Sequence, residues 1–476
     1  MPSAAALAAD VPLVVDLDGT LVTNDSLAES LLALARERPL ALFALLGRLA
    51  GGRAAFKRAL AELAPLDIET LPWNAPLLEH LQSERRRGRR IVLATGADQR
   101  VAERVARTLG LFDEVHASDG TTNLSGSAKR DRLLARFGEQ GFDYIGNSAR
   151  DLPVWATARR ALLVAPSPRL ARAAARAGPV ERVFERPRPT LATWLGATRV
   201  HHWLKNLLLL VPLVAAQRLY EPRPLAAALA GLLAFGLAAS GVYLLNDLLD
   251  LAADRRHPHK RQRALASGAL PLTEALALLP LLWAAALAVA GALGTAFVGA
   301  LAAYVATMAV YSLGVKDIAV VDATVLAGGY TLRIEAGALA SGVAVAPRLL
   351  VCAVALFFGL ALLKRYAELV TLRPGLAPGG QVRGYRVADA PLVAVLGIAA
   401  NCVAVALLAT YPLAEPTPAA RSTVWFVCVL LLSWVARMWL MAHRGRIHDD
   451  PVAYALRDGP SRVLGLIVAA SLLIPR

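Results

Sequence analysis

Cysteine is nearly absent from this chain. The three present in 476 residues, Cys352, Cys402 and Cys428, all lie inside apolar runs and have no metal-ligand spacing. That argues against a disulfide framework and against zinc, and leaves them as core residues. Acid is also scarce: 36 Asp and Glu stand against 51 Lys and Arg, a formal net charge of +15. The opening stretch, Met1 to Asp10, lacks the basic segment and long apolar core of a secretory signal, so the N-terminal part is expected to stay in the cytosol. What abounds is apolar surface, with 56% hydrophobic residues and a mean hydropathy of +0.49. High hydropathy with excess positive charge predicts a multi-pass protein of the inner (cell) membrane with a basic cytosolic side. The charge is read as topogenic, and nucleic acid is not an expected partner.

The hydrophobicity is uneven. Residues 1–190 are rich in Arg, Asp and Glu and read as soluble, whereas the chain after about 200 is mostly bilayer-length apolar runs. Nine spans are expected, near 204–220, 224–246, 271–291, 294–313, 318–340, 346–364, 390–411, 422–442 and 462–475. Arg and Lys gather in the loops 254–263, 364–386 and 443–462, each after an even-numbered span. A cytosolic N-terminus puts all three on the cytosolic side. The expected organisation is a soluble domain over 1–180, a Pro- and Arg-rich linker over 181–198, and a membrane domain over 199–476.

The most informative segment is Asn246-Asp247-Leu248-Leu249-Asp250-Leu251-Ala252-Ala253-Asp254. On a helix its three acids fall within an arc of roughly 60°. Clustered carboxylates repel one another, so such a face calls for a cation. Oxygen-only ligands select a hard ion, and Mg²⁺ commonly bridges carboxylates to phosphates. Five formal positive charges follow within Arg255–Arg263, suited to phosphate oxygens. The competing reading is a solvated, charged loop between two spans.

This NDxxDxxxD pattern resembles the first motif of the UbiA superfamily of intramembrane prenyltransferases. Arg255-x-His257-Pro258-x-Lys260-x-x-Arg263 resembles the branch that transfers phosphoribose to decaprenyl phosphate, although the Arg-Pro usual after the lysine is missing. The same branch is suggested by Arg199-x-x-x-Trp203-x-Lys205-Asn206, by Lys364-Arg365-Tyr366-Ala367-Glu368-Leu369 with Arg383-x-Tyr385, and by Arg444–Pro451. The turn holding Lys316, Asp317 and Asp322 is thinner in acid than the second cluster of aromatic prenyltransferases. The resemblance implies an all-α bundle in which Asn246, Asp247, Asp250 and Asp254 hold Mg²⁺. Lys205, Asn206, Lys260, Arg263, Lys316, Lys364, Arg365 and Glu368 then bind substrate. Plainer readings stay open: a Lys364–Glu368 helix-surface ion pair, and mutual pairing of Arg333 with Glu335 inside a span.

In the soluble part, Val11–Val15 is a strand-length run ending in Asp16-Leu17-Asp18-Gly19-Thr20. Acids at the carboxyl end of a buried strand mark the usual site of an α/β sheet. DxDGT resembles the first motif of haloacid dehalogenase (HAD) phosphohydrolases. Thr95-Gly96 after Ile91–Ala94, Lys129, and Gly146-Asn147 with Asp151 follow in the family's order, with Asn147 replacing the first acid of the last motif. The resemblance implies a Rossmann-like α/β fold with a helical cap near 24–88. Asp16 would be nucleophile, Asp18 general acid, Thr95 and Lys129 phosphate holders, and Asp16, Asp18, Asn147 and Asp151 the Mg²⁺ ligands. A catalytically silent scaffold is the alternative.

The expected enzyme moves 5-phosphoribose from phosphoribosyl diphosphate to a polyprenyl phosphate in the bilayer, with the HAD-like domain dephosphorylating the product. The runner-up moves a prenyl group from its diphosphate to an aromatic or other small acceptor. A homo-oligomer is possible on either reading.

Overall fold

The computed structural model describes residues 11–64, 66–371, 381–410, 418–447 and 451–473. Met1–Asp10, part of the 364–386 loop, His448-Asp449-Asp450 and the tail of the ninth expected span lie outside them. The chain forms two compact units: Met1–Thr198 with Asn246–Leu278, and Arg199–Leu245 with Leu279–Arg476.

The first unit is built on a six-stranded parallel sheet: β1 (Leu13–Val15), β2 (Ile91–Asp98), β3 (Glu114–Ser118), β4 (Asp143–Gly146), β5 (Arg160–Val164) and β6 (Val180–Phe184). Its order is β3-β2-β1-β4-β5-β6, so the winding reverses between β1 and β4, where α/β sheets open a crevice beyond the strand ends. Val15 pairs with Leu93 and with Ile145, which sets the ends of the three central strands side by side. Alternate residues feed two cores: Leu13 and Val15 one face, Val14 the other. β6 occupies part of the stretch read as a linker.

Between β1 and β2 lie α1 (Ser26–Glu37), α2 (Ala41–Leu46), α3 (Gly52–Leu63) and α4 (Ala75–Arg86). The first three form a cap with its own small core of Leu34, Leu45, Leu60 and Ala64. α4 packs on the sheet through Leu77 and Leu81. The sheet is completed by α5 (Gln99–Leu109), α6 (Ser127–Phe137) and α7 (Pro168–Ala177).

Besides short helical turns, the chain continues with α8 (Pro222–Leu249), α9 (Leu251–Arg256), α10 (Leu272–Gly291), α11 (Thr295–Leu313), α12 (Val321–Ser341), α13 (Pro347–Thr371), α14 (Ala390–Ala409), α15 (Pro418–His443) and α16 (Gly459–Leu473). Among the described residues, six are long and apolar enough to cross a membrane: α8, α10, α11, α13, α14 and α15. Nine were expected. Of the other three, α12 carries Asp322, Arg333 and Glu335, α16 has 15 residues, and Val200–Ala215 is a short composite whose first part, Val200–Leu210, is a 3₁₀ helix.

Close packing in the second unit runs through glycine. A Cβ on Gly337 of α12 would collide with the Leu209 backbone, and one on Gly359 of α13 with Asn401 and the Gly397 carbonyl of α14. Asn401 fastens that crossing, donating to the Leu356 carbonyl at 3.0 Å and accepting from Trp439 at 3.1 Å. Gly337→Ala and Gly359→Ala are expected to cost about 1–3 kcal/mol each by overpacking. Thermal unfolding in detergent should show both below wild type, and Gly299→Ala, whose Cβ would meet open space, unchanged.

Candidate active sites

The β1 turn delivers Asp16 and Asp18 to the crevice, and the β4 end delivers Asn147. With Thr95 at the end of β2, the motif residues meet where the sheet order reverses. A cavity of about 660 Å³ opens there, lined by Asp16, Asp18, Lys129, Asn147 and Asp151. Lys129 Nζ donates to Asp16 at 2.9 Å and to the Tyr144 hydroxyl at 2.8 Å, and lies 3.6 Å from Asp151. One buried ammonium thus neutralises two carboxylates. Even so, burial outweighs Lys129 and pushes Asp16 up to about 6. Burial, with the charges of Asp25 and Asp16, pushes Asp18 up to about 7, while Ser26 N–H donates to it at 2.7 Å. A carboxyl still protonated near neutral pH can give its proton to a leaving oxygen.

Asp151 differs from its expected role. One oxygen accepts from the Asn147 and Ser148 N–H groups and the Ser148 hydroxyl, and the other from Tyr144. It orders the last motif, beside the oxygen donors Asp16, Asp18 and Asn147. Their hard, oxygen-only chemistry fits Mg²⁺, with one charge fewer than two acids and an extra acid would give. The Asn147 amide packs against Gly19, which leaves no room for a Cβ and has φ +70°. Thr95 is fully buried, and its hydroxyl accepts from Ala97 N–H at 3.0 Å.

The cap adds Lys57, which donates to the Gly96 carbonyl at 2.5 Å and to Asn123 at 2.8 Å. Burial lowers its pKa. The sequence motifs assign no role to Lys57, Tyr144 or Asn123. Tyr144 could have been found, since a tyrosine on a buried strand needs a hydroxyl partner.

The acidic segment of the same unit is less regular than expected. α8 ends at Leu249, Asp250 is the N-cap of α9, and the helical run breaks there, although Asp250 N–H still reaches the Asn246 carbonyl and Asp254 N–H the Asp250 carbonyl. Arg263 Nη1 donates to Asp247 at 3.1 Å and to Asp254 at 2.6 Å. Arg263, expected on phosphate, here pairs with both acids. Burial raises Asp254 despite it. Two buried carboxylates converging on one positive point fit Mg²⁺; among the described residues, no group of three or more His, Cys, Asp or Glu has metal-site geometry. Asp250 lies 3.7 Å from Arg36 at the end of α1. Arg255 makes a bidentate pair with Glu29 of α1 at 2.6 and 3.1 Å, both side chains 6% exposed. No sequence signal announced that pair. Lys260 lies in a 3₁₀ turn, Lys260–Gln262.

In the second unit Asn206 is buried and accepts from Arg333 at 2.9 Å, while its Nδ2 has no partner among the described residues. Arg333 also donates to Tyr304 at 2.9 Å and to the Gly329 carbonyl at 2.7 Å, in place of the mutual pairing considered with Glu335. Lys205 lies over the Tyr330 ring. Arg365 pairs with Glu368 at 2.5 Å and also holds Asp322 at 2.5 Å; Asp322 accepts from Tyr385 at 2.6 Å. Lys316 is buried.

Between its ordinary value near 3.8 and about 7, Asp18 holds a proton in the folded chain that the unfolded chain releases. Stability therefore falls as pH rises through that window. Thermal melts in chelator should find Asp18→Asn more stable than wild type at pH 8, and the gain should shrink toward pH 5.

Residues 206–457 match the UbiA prenyltransferase family model, and residues 13–155 match the haloacid dehalogenase-like hydrolase model. Protein y4nM of Sinorhizobium fredii is 34% identical over 470 residues, covering 98% of this chain and 91% of its own. Nodulation protein NoeC of Azorhizobium caulinodans is 37% identical over 290 residues, 59% of this chain and 92% of its own. Decaprenyl-phosphate phosphoribosyltransferase of Mycobacterium tuberculosis is 31% identical over 295 residues, 60% of this chain and 94% of its own. With more than half its length matched by one family and its motif acids gathered around a shared cation, the chain belongs to the UbiA prenyltransferase family, as a membrane-embedded transferase that carries an N-terminal HAD-like domain.

Proposed function

We propose that this enzyme transfers 5-phosphoribose from phosphoribosyl diphosphate to a polyprenyl phosphate, and that its HAD-like domain removes the 5-phosphate from the lipid product. The observation that carries the first half is the convergence of Asp247 and Asp254 on one cation. The relatives named decaprenyl-phosphate phosphoribosyltransferase support the choice of donor and acceptor.

On this reading Asp247 and Asp254, with Asn246 and Asp250, would hold Mg²⁺, which when bound supplies charge neutralisation to a diphosphate. Lys260 and Arg263 take phosphate oxygens, as do Lys205, Lys316 and Lys364. The open Nδ2 of Asn206 is a further donor. Arg365 and Glu368, engaged with Asp322, position α13 rather than substrate. The lipid phosphate oxygen attacks the anomeric carbon as its bond to diphosphate breaks, so no protein nucleophile is needed. The N-terminal domain faces the cytosol from the inner membrane, and α12, α16 and the Val200–Ala215 composite complete nine spans.

In the HAD-like site the Asp16 carboxylate attacks phosphorus and forms an acyl phosphate, while Asp18 protonates the departing ribose oxygen. Asp18 then accepts a proton from the water that hydrolyses the acyl phosphate. Lys129 neutralises the phosphate throughout, and Asp16, Asp18 and Asn147 would hold the domain's own Mg²⁺.

Membranes given labelled phosphoribosyl diphosphate and polyprenyl phosphate should yield labelled lipid. Asp247→Asn should lower that labelling by about 100-fold or more at saturating Mg²⁺. Product only from a prenyl diphosphate and an aromatic acid would instead establish prenyl transfer. Asp16→Asn should leave labelling intact but make the lipid accumulate with its 5-phosphate attached. Identical lipid masses from wild type and Asp16→Asn would make the domain a silent scaffold.

A further inference from the structure

The cap carries a surface that neither reaction uses. α2 turns Leu45 into the cap core. Its other side exposes Leu40 at 80%, Phe43 at 73% and Leu46 at 58%, and the 3₁₀ turn Gly47–Gly51 adds Leu49 at 53%. Residues three apart drift by about 60° on an α-helix and eclipse on a 3₁₀ helix, so the four form one strip about 120° wide. Four large apolar side chains side by side are more than a soluble surface usually leaves in water.

The surroundings of the strip say what covers it. Residues 36–58 hold six cations, Arg36, Arg38, Arg48, Arg53, Lys57 and Arg58, against Glu37 alone. Arg38, Arg48, Arg53 and Arg58 are exposed. An apolar face flanked by arginine suits the headgroup boundary of an anionic bilayer, where the side chains enter the acyl edge and the guanidinium groups meet phosphates. Among the described residues six helices are long and apolar enough to cross a membrane, so a bilayer is always at hand. The strip also runs into the phosphatase cavity: Leu49, Arg53, Phe56, Lys57 and Leu60 line it.

We propose that the α2 strip docks into the interface of an anionic membrane and opens the Asp16 cavity to the headgroup layer. A phosphomonoester on a lipid would then reach Asp16 with its tail still in the bilayer. The delivery role rests on the phosphatase reading above; the docking does not. The apolar strip holds the mouth at the membrane, and the flanking arginines select anionic lipid.

The test uses the full chain in nanodiscs of phosphatidylglycerol and phosphatidylcholine. A spin label at Phe43→Cys, with Cys352, Cys402 and Cys428 replaced, should collide with oxygen far more than with aqueous nickel chelate. A label at exposed Glu139→Cys should show the reverse. Discs of phosphatidylcholine alone should weaken the Phe43 signature. The triple variant Leu40→Gln, Phe43→Gln, Leu46→Gln should lose about tenfold in hydrolysis of the phosphoribosyl lipid and keep its rate on water-soluble p-nitrophenyl phosphate. A Phe43 label as open to nickel as the Glu139 label would overturn the docking. So would one shielded from both reagents with spin–spin broadening, since a second copy would then cover the strip. A buried label with unchanged lipid hydrolysis in the triple variant would overturn the delivery. Inserted label but no hydrolysis of either substrate by wild type would uphold docking and bring down the phosphatase reading alone.

Discussion

Carboxylates held out of water must share a positive charge, and that constraint recurs wherever this chain gathers acid. Lys129 lies between Asp16 and Asp151, Arg263 between Asp247 and Asp254, and Arg365 between Asp322 and Glu368. Asp143, fully buried at the start of β4, is met by both Arg89 and Arg159. Desolvation alone would protonate such groups or unfold the region. In the first two pairs burial still raises Asp16 and Asp254 despite the cation. The Arg365 cluster has aromatic hydroxyls as well, from Tyr311 and Tyr385. It reads as architecture.

α1 ties the two motif segments of the first unit together. Its first N–H, at Ser26, holds Asp18; Glu29 holds Arg255, next to Asp254; and Arg36 approaches Asp250. At 1.5 Å per residue this 12-residue helix is about 18 Å long. Gly268, with φ +75°, lies so close to Thr23 and Pro72 that a side chain would not fit. Residues 246–278 thus fold with the N-terminal domain although the sequence assigns them to the membrane part.

Much of the fold was legible because its signals are local. Strand-length apolar runs ahead of Asp16, Thr95 and Asn147 read as strands that end side by side, and they do. The membrane helices followed from run length, but α12 shows the limit: its apolar run is interrupted by Asp322 and Arg333, which their partners Arg365, Tyr385 and Asn206 make tolerable. The continuous helix expected through Asn246–Asp254 breaks at Asp250. The linker after residue 180 begins as β6, because an edge strand of short, charged sequence carries little periodic signal.

The sequence by itself determined the two family domains and their order along the chain, because backbone period and motif spacing act over a few residues. Tertiary structure decided which charge neutralises which. Arg255 and Glu29 are 226 positions apart, Arg333 and Asn206 are 127 apart, and Lys129 and Asp16 are 113 apart. A pairing energy that depends on distance through space leaves no mark on spacing along the chain. The same holds for the partners that only the fold supplies: the two acids for Arg263, the Ser148 turn and Tyr144 for Asp151, and Arg365 for Glu368. In each case a buried charge takes the nearest opposite charge or donor, and only the folded chain defines nearest.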